Sequence, residues 1–206
     1  MIGMAWKSKR RSIKGDTYGW VGLDALLKYY ERCPTEYHRK IFNILFETGS
    51  RASEAIVLQP QHVKWNDVAI RVQGLPLLKK KKRMVRNFLW KIEGDPFAED
   101  FIGFVQSCNT RYLIPAHQKF SGLVLVDQHP TRSTILVKMY EVSPDLWCHW
   151  FRSMRARFFV NELKMDAFQL ADWFSWTNMD MPLHYVSETL EKMAENMGIP
   201  KNKIPS

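Results

Sequence analysis

The chain has 206 residues and is 46% hydrophobic and 13% aromatic, enough for one domain with a full core and too apolar for a disordered chain. No apolar run approaches the length of a membrane span, and no charged-then-apolar leader with a small-residue cleavage site opens the sequence. The formal net charge of +9, from 30 Lys+Arg against 21 Asp+Glu, is concentrated in WKSKRRSIK (Trp6 to Lys14) and LLKKKKRMVR (Leu77 to Arg86), runs that either face phosphate backbones or solvate a surface.

Residues 1–20 are basic, lack apolar periodicity and are broken by Gly15 and Gly19; they read as an arm or linker. In VGLDALLKYYER, Leu23, Leu26, Leu27 and Tyr30 recur at helical spacing, and Pro34 ends that helix. Thr35 and Glu36 start the next, TEYHRKIFNILFETG, with Tyr37, Ile41, Ile44 and Leu45 on one face and Gly49 as its C-cap. A third helix begins near Arg51 and Ser53 and carries Ala55, Ile56 and Leu58 into the core. From Gln61 to Trp90 the pattern becomes strand-like. Two short runs are split by Asn66-Asp67, the lysine run fills a second turn, and RMVRNFLW forms a third strand, giving a small antiparallel sheet. Helices resume after Asp95-Pro96. The stretch 111–128 is irregular. TRSTILVKMYEV, DLWCHWFRSMRARFFVNELK and DAFQLADWF then read as helices. In the tail, SETLEKMAENMG has a narrow stripe of Leu190, Met193 and Met197. The three cysteines, Cys33, Cys108 and Cys148, are odd in number and lack metal spacing, as expected of reduced thiols in a cytoplasmic protein.

Three stretches carry candidate chemistry. In FETGSRASEAIVL, Arg51 opens a helix with Glu54 one turn on; the arginine could present its planar donor fork to an oxyanion, or the two could form a surface ion pair. In CHWFRSMRARFF, His149 and Arg152 are three apart on one helical face, a pair able to hold a phosphoryl group and manage a proton beside it. Arg155 and Arg157 keep open the alternative of a solvated, arginine-rich face. In FSWTNMDMPLHYV, Tyr185 follows the helix-unfriendly Pro182 and, taken alone, is an amphipathic packing residue.

Together these stretches resemble the tyrosine recombinase, or phage integrase, family. TGSRASEAIVL resembles its first arginine box, HWFR its His-x-x-Arg box, and FSWTNMDMPLHYV the box joining a His or Trp to the nucleophilic tyrosine, with Trp176 and Tyr185 at the family's spacing. The lysine run before RMVR resembles the β-turn lysine. These four boxes occur in the family's order over roughly residues 21–186. Trp176, with DWFSW and MPLHYV, is most similar to integrases of archaeal viruses and plasmids. Ser153 and Ser175 depart from the residues usual at their positions, and Lys81 matches the catalytic lysine best, ahead of Lys80 and Lys82. Arg155 could replace Arg152 if the helix were shifted by a turn.

The resemblance implies a mainly α catalytic domain, residues 21–186, with a small three-stranded antiparallel sheet. It implies strand cleavage without metal or cofactor. Tyr185 attacks a phosphodiester to form a 3′-phosphotyrosine. Arg51 and Arg152 hold the phosphate, with Glu54 supporting Arg51, and His149 bonds the phosphate or relays a proton. Lys81 protonates the leaving oxygen, and Trp176 supports the site. The Met-Pro-Leu-His run is expected to lift Tyr185 out of the core toward the phosphate. Lys79, Lys80, Lys82, Arg83, Arg10 and Arg11 are expected to grip double-stranded DNA. Residues 187–206 would form a tail helix, docked at home or exchanged between subunits of a homo-tetramer on DNA that is monomer or dimer when free. The family's separate core-binding domain has no room here, so the expectation is an excised domain, a split-gene product or a minimal enzyme. A type IB topoisomerase-like strand transferase and a decayed DNA-binding protein are the competing readings.

Overall fold

The computed structural model describes residues 20–77, 85–118 and 121–186. In chain order it contains α1 (Leu23–Glu31), α2 (Glu36–Thr48), α3 (Ala52–Ala55), β1 (Val63–Trp65), β2 (Ala69–Pro76), β3 (Val85–Lys91), α4 (Ala98–Gln106), β4 (Ala116–His117), β5 (Val124–Leu125), α5 (Arg132–Val142), α6 (Cys148–Asn161), α7 (Ala167–Phe174) and α8 (Asp180–Val186). The arm with Arg10 and Arg11, the run Lys79, Lys80, Lys81, Lys82 and Arg83, and the tail after Val186 lie outside the described residues.

The centre of the fold is α2, which packs on α1, α4, α5 and α6. Thr35 caps it by accepting from the His38 N–H, and Gly49 closes it in the left-handed conformation, φ 49°. Glycine is required there twice over, because a Cβ would lie 2.6 Å from Cε1 of Phe174. The sequence assigns α2 a single apolar face, but the structure surrounds it. His38, Asn43, Glu47 and Thr48 are buried alongside Ile41, Phe42, Ile44, Leu45 and Phe46. The polar four are tolerated because each is bonded: His38 to Glu141, Asn43 Nδ2 to the Phe97 carbonyl, Thr48 Oγ1 to the Ile44 carbonyl, and Glu47 to Arg155.

The sheet runs β1-β2-β3, antiparallel throughout, and ends at Lys91, one residue past the expected range. Asn66 Oδ1 accepts from the N–H groups of Val68 and Ala69, which closes the first turn as expected. Ile70, Val72, Phe88 and Trp90 form the inward face, and α7 lies on it with Trp173 Nε1 donating to the Leu89 carbonyl at 2.8 Å.

Three elements differ from the sequence reading. The stretch 111–128 contains the two-residue pairing β4–β5, too short to leave an alternation. Helix α6 begins at Cys148, with Trp147 still extended at its N-cap. Pro182 does not break the chain before Tyr185. It is the third residue of α8, in the first turn, where the missing N–H of proline costs the helix no internal hydrogen bond.

Candidate active site

The end of α2, the start of α3, the start of α5, the first turns of α6 and the segment after α7 meet around a cleft of about 460 Å³. Its lining includes Arg51, Arg132, Cys148, His149, Arg152, Trp176 and Met181. Four of the residues singled out from the sequence, Arg51, His149, Arg152 and Trp176, therefore share one cavity, although Arg51 lies about a hundred residues before the other three in the chain. A larger groove of about 1040 Å³, also bordered by α5, holds the His38–Glu141 pair but none of these four.

Arg51 is the N-cap residue of α3. Glu54 accepts from the Arg51 backbone N–H at 3.1 Å and from its guanidinium at 2.8 Å. The Arg51–Glu54 contact is therefore not a surface ion pair. The carboxylate is 1% exposed while Arg51 remains 39% exposed toward the cleft. Arg152 is the opposite case. It is 2% exposed and donates to the carbonyls of Gly49 (2.8 Å) and Phe174 (3.1 Å). Burial first, and then the charge of Arg51, push its pKa down to about 10, with Glu54 pulling the other way. Two of its five N–H donors go to these carbonyls, and the residue itself lines the cleft wall.

The arginine-rich face of α6 is not a solvated surface, since Arg155 is 0% exposed. It donates to Glu47 and Asp95 in the core, and neither it nor its partners line the cleft. The register that puts His149 beside the cleft thus selects Arg152 and leaves Arg155 as a core cation. Buried on all sides, Glu47 is held well above the usual carboxylate range by desolvation, against the pull of Arg155.

Tyr185 is buried and not among the residues lining the cleft. Its ring stacks on Trp176 at 5.6 Å between centroids with the planes 7° apart, and Trp176 in turn stacks on Phe174 at 4.5 Å. Its hydroxyl shares a hydrogen bond with Ser153 Oγ at 3.0 Å, and the Arg157 guanidinium lies 5.6 Å from its ring centre. The lift out of the core expected for Tyr185 is therefore corrected. Pro182 allows a helix, and the helix turns Tyr185 inward onto Trp176.

Two residues near the site were not singled out from the sequence. Arg132, exposed at the first position of α5, lines the cleft. Arg86 is fully buried behind it, 4.0 Å from Glu54. Its signal was available: the alternation through Phe88 and Trp90 places Arg86 on the inward face of β3. Among the described residues no group of three His, Cys, Asp or Glu is arranged to hold a metal ion, and no helix is long and apolar enough to cross a membrane.

No family model matches this chain, and no curated protein matches it in sequence. Its likeness to known proteins is one of structure. The XerA recombinase is 14% identical with a TM-score of 0.61, over 93% of this chain and 66% of that one. The XerH site-specific recombinase, in a pre-cleavage complex with its difH substrate, is 12% identical with a TM-score of 0.58, over 90% and 55%. A lambda integrase dimer bound to a COC′ core site is 13% identical with a TM-score of 0.55, over 86% and 50%. The chain spans half to two thirds of the length of these proteins. The fold is that of tyrosine recombinase catalytic domains, mostly helical with a three-stranded antiparallel sheet, as expected from the sequence.

Proposed function

We propose that this chain is the catalytic domain of a site-specific DNA recombinase that cuts and rejoins double-stranded DNA through a 3′-phosphotyrosine on Tyr185. The observation that carries this reading is the shared cleft of Arg51, His149, Arg152 and Trp176, with Tyr185 stacked directly behind Trp176. Phosphoryl transfer asks the protein chiefly for fixed positive donors around the non-bridging oxygens. Arg51 and Arg152 supply such donors, and Arg132 adds a third cation at the rim. His149 is exposed at the same wall, able to bond the phosphate or relay a proton. Lys81 remains the expected general acid, with Lys80 and Lys82 behind it. Trp176 has one indole N–H and a broad apolar face; it holds Tyr185 by stacking. Attack requires α8 to carry Tyr185 past Trp176 into the cleft. Because the bond energy is kept in the phosphotyrosine, resealing runs the steps in reverse.

The same reading includes the basic arm and hairpin as DNA contacts, a tetramer on two duplexes with the tail exchanged between subunits, and a source among archaeal viruses or plasmids. The docked hydroxyl of Tyr185 also fits a second reading, a DNA-binding protein that no longer cuts. A nicked suicide substrate decides between them, run with and without a chelator. A covalent adduct that forms in both conditions and is lost in Tyr185→Phe supports the recombinase. Tight binding without any adduct supports the second reading.

A further inference from the structure

Arg86 is absent from the cleft's lining, yet it is the most enclosed charge beside it. It is the second residue of β3, at the return end of the hairpin that carries the lysines. Its Nε donates to the Trp173 carbonyl at 3.0 Å and a terminal nitrogen donates to the Thr48 carbonyl at 2.8 Å. Arg152 donates to the carbonyls of Phe174 and Gly49. Two guanidinium groups, one from β3 and one from α6, thus cross-link the same two segments at consecutive carbonyls. Those segments, the ends of α2 and α7, already touch where Gly49 meets the Phe174 ring. From this junction the chain runs straight into the cleft. Arg51 follows Gly49 by two residues, and Trp176 follows Phe174 by two. Arg86 also faces Glu54, the carboxylate that holds Arg51.

We infer that Arg86 is a positioning residue: with Arg152 it clamps the ends of α2 and α7, and so sets where Arg51 and Trp176 stand around a bound phosphate. The charge pattern supports more than a packing role. Arg51, Arg86 and Arg152 surround one carboxylate, Glu54, so the cluster carries excess positive charge that an entering oxyanion relieves. A guanidinium needed only to fill space between Phe88 and Trp173, over whose rings it lies at 4.0 and 4.6 Å, would be replaceable by methionine without consequence for the cleft.

The test compares wild type, Arg86→Met and Arg86→Lys, and its rate readout rests on the recombinase reading. Single-turnover cleavage of a suicide substrate at saturating protein is expected to slow about 30-fold in Arg86→Met and about tenfold in Arg86→Lys, below the full loss of one direct oxyanion donor. Half-saturation for DNA should stay within about threefold, because many other cations share that load. The defect should persist on a substrate with a 5′-thio leaving group. Complete rescue by the thio substrate would mean that Arg86 acts through the lysine hairpin instead, overturning the inference. So would wild-type rates in both folded variants, or a failure of both to fold, which would make Arg86 a core residue alone. If wild type forms no adduct, the recombinase reading fails while the clamp is still measured. Inorganic sulfate at constant ionic strength should raise the melting temperature of wild type, and Arg86→Lys should lose at least half of that rise. An equal rise in both variants overturns the clamp.

Discussion

Arg152 and Arg155 lie one turn apart on α6, both buried, and they teach opposite lessons. Arg155 meets two carboxylates, Glu47 and Asp95, so its charge is answered inside the protein. Arg152 donates to the carbonyls of Gly49 and Phe174 and has no carboxylate within ion-pair distance among the described residues; Arg51 is a like-charged neighbour, and Glu54 acts on it only from farther off. Charge-assisted bonds to carbonyls return roughly 1.5–3 kcal/mol each, about enough to offset the several kcal/mol of taking a guanidinium out of water. They leave its charge uncancelled. One arginine closes a core; the other keeps an appetite for an anion.

The largest expected effect is on the closed side. Arg155→Met strands Glu47 and Asp95 and should lower stability by about 3–5 kcal/mol in urea unfolding, with cleavage per folded molecule little changed. A small stability loss with a large loss of cleavage would reverse the comparison. Arg152→Met should do both kinds of damage: a cleavage rate lower by about 10²–10³, and a stability loss of about 1–3 kcal/mol from two orphaned carbonyls. Arg51→Ala, on the exposed side of the cleft, should cost about a hundredfold in cleavage while DNA affinity holds, with a stability loss of about 1–3 kcal/mol because buried Glu54 loses a guanidinium donor. Equal losses of binding and cleavage would make Arg51 an ordinary backbone contact. Ser153→Ala removes the hydroxyl partner of Tyr185. It should cost about 1 kcal/mol of stability and speed suicide cleavage several-fold, whereas slower cleavage would put Ser153 in the chemistry itself. The smallest effect concerns Cys148 at the cleft wall, whose thiol burial pushes up to about 11. A raised thiol pKa keeps the nucleophilic thiolate scarce, roughly one molecule in a thousand at pH 8, so iodoacetamide labelling should be slow there and accelerate toward pH 11. Fast labelling at pH 8, read by mass spectrometry, would show a more open wall.

The sheet and most helices were legible because their signals are local: the alternation through Phe88 and Trp90, the turn at Asn66-Asp67, and the Thr35 cap of α2. The candidate site was legible as separate boxes whose convergence no single box implied. The Arg155 network was not, because its partners lie 108 and 60 residues away along the chain and leave no pattern beside it. Arg86 was hidden by its company. Counted with four lysines it read as part of a basic run, although the strand period turned it inward. The docking of Tyr185 was missed because proline suggested a break, whereas a first-turn proline is compatible with a helix.

The rings of Phe174, Trp176 and Tyr185 lie in one near-parallel pile, with neighbouring planes 16° and 7° apart. Such a pile is a chiral chromophore. Aromatic rings locked in an asymmetric packed setting give near-ultraviolet circular dichroism that is lost once specific packing is lost. The indole of Trp176 lines the cleft on one side and carries the phenol of Tyr185 on the other, so the pile is an optical reporter of whether Tyr185 is docked. Undocking of Tyr185 would change that near-ultraviolet signal, so it can be followed without attaching any label.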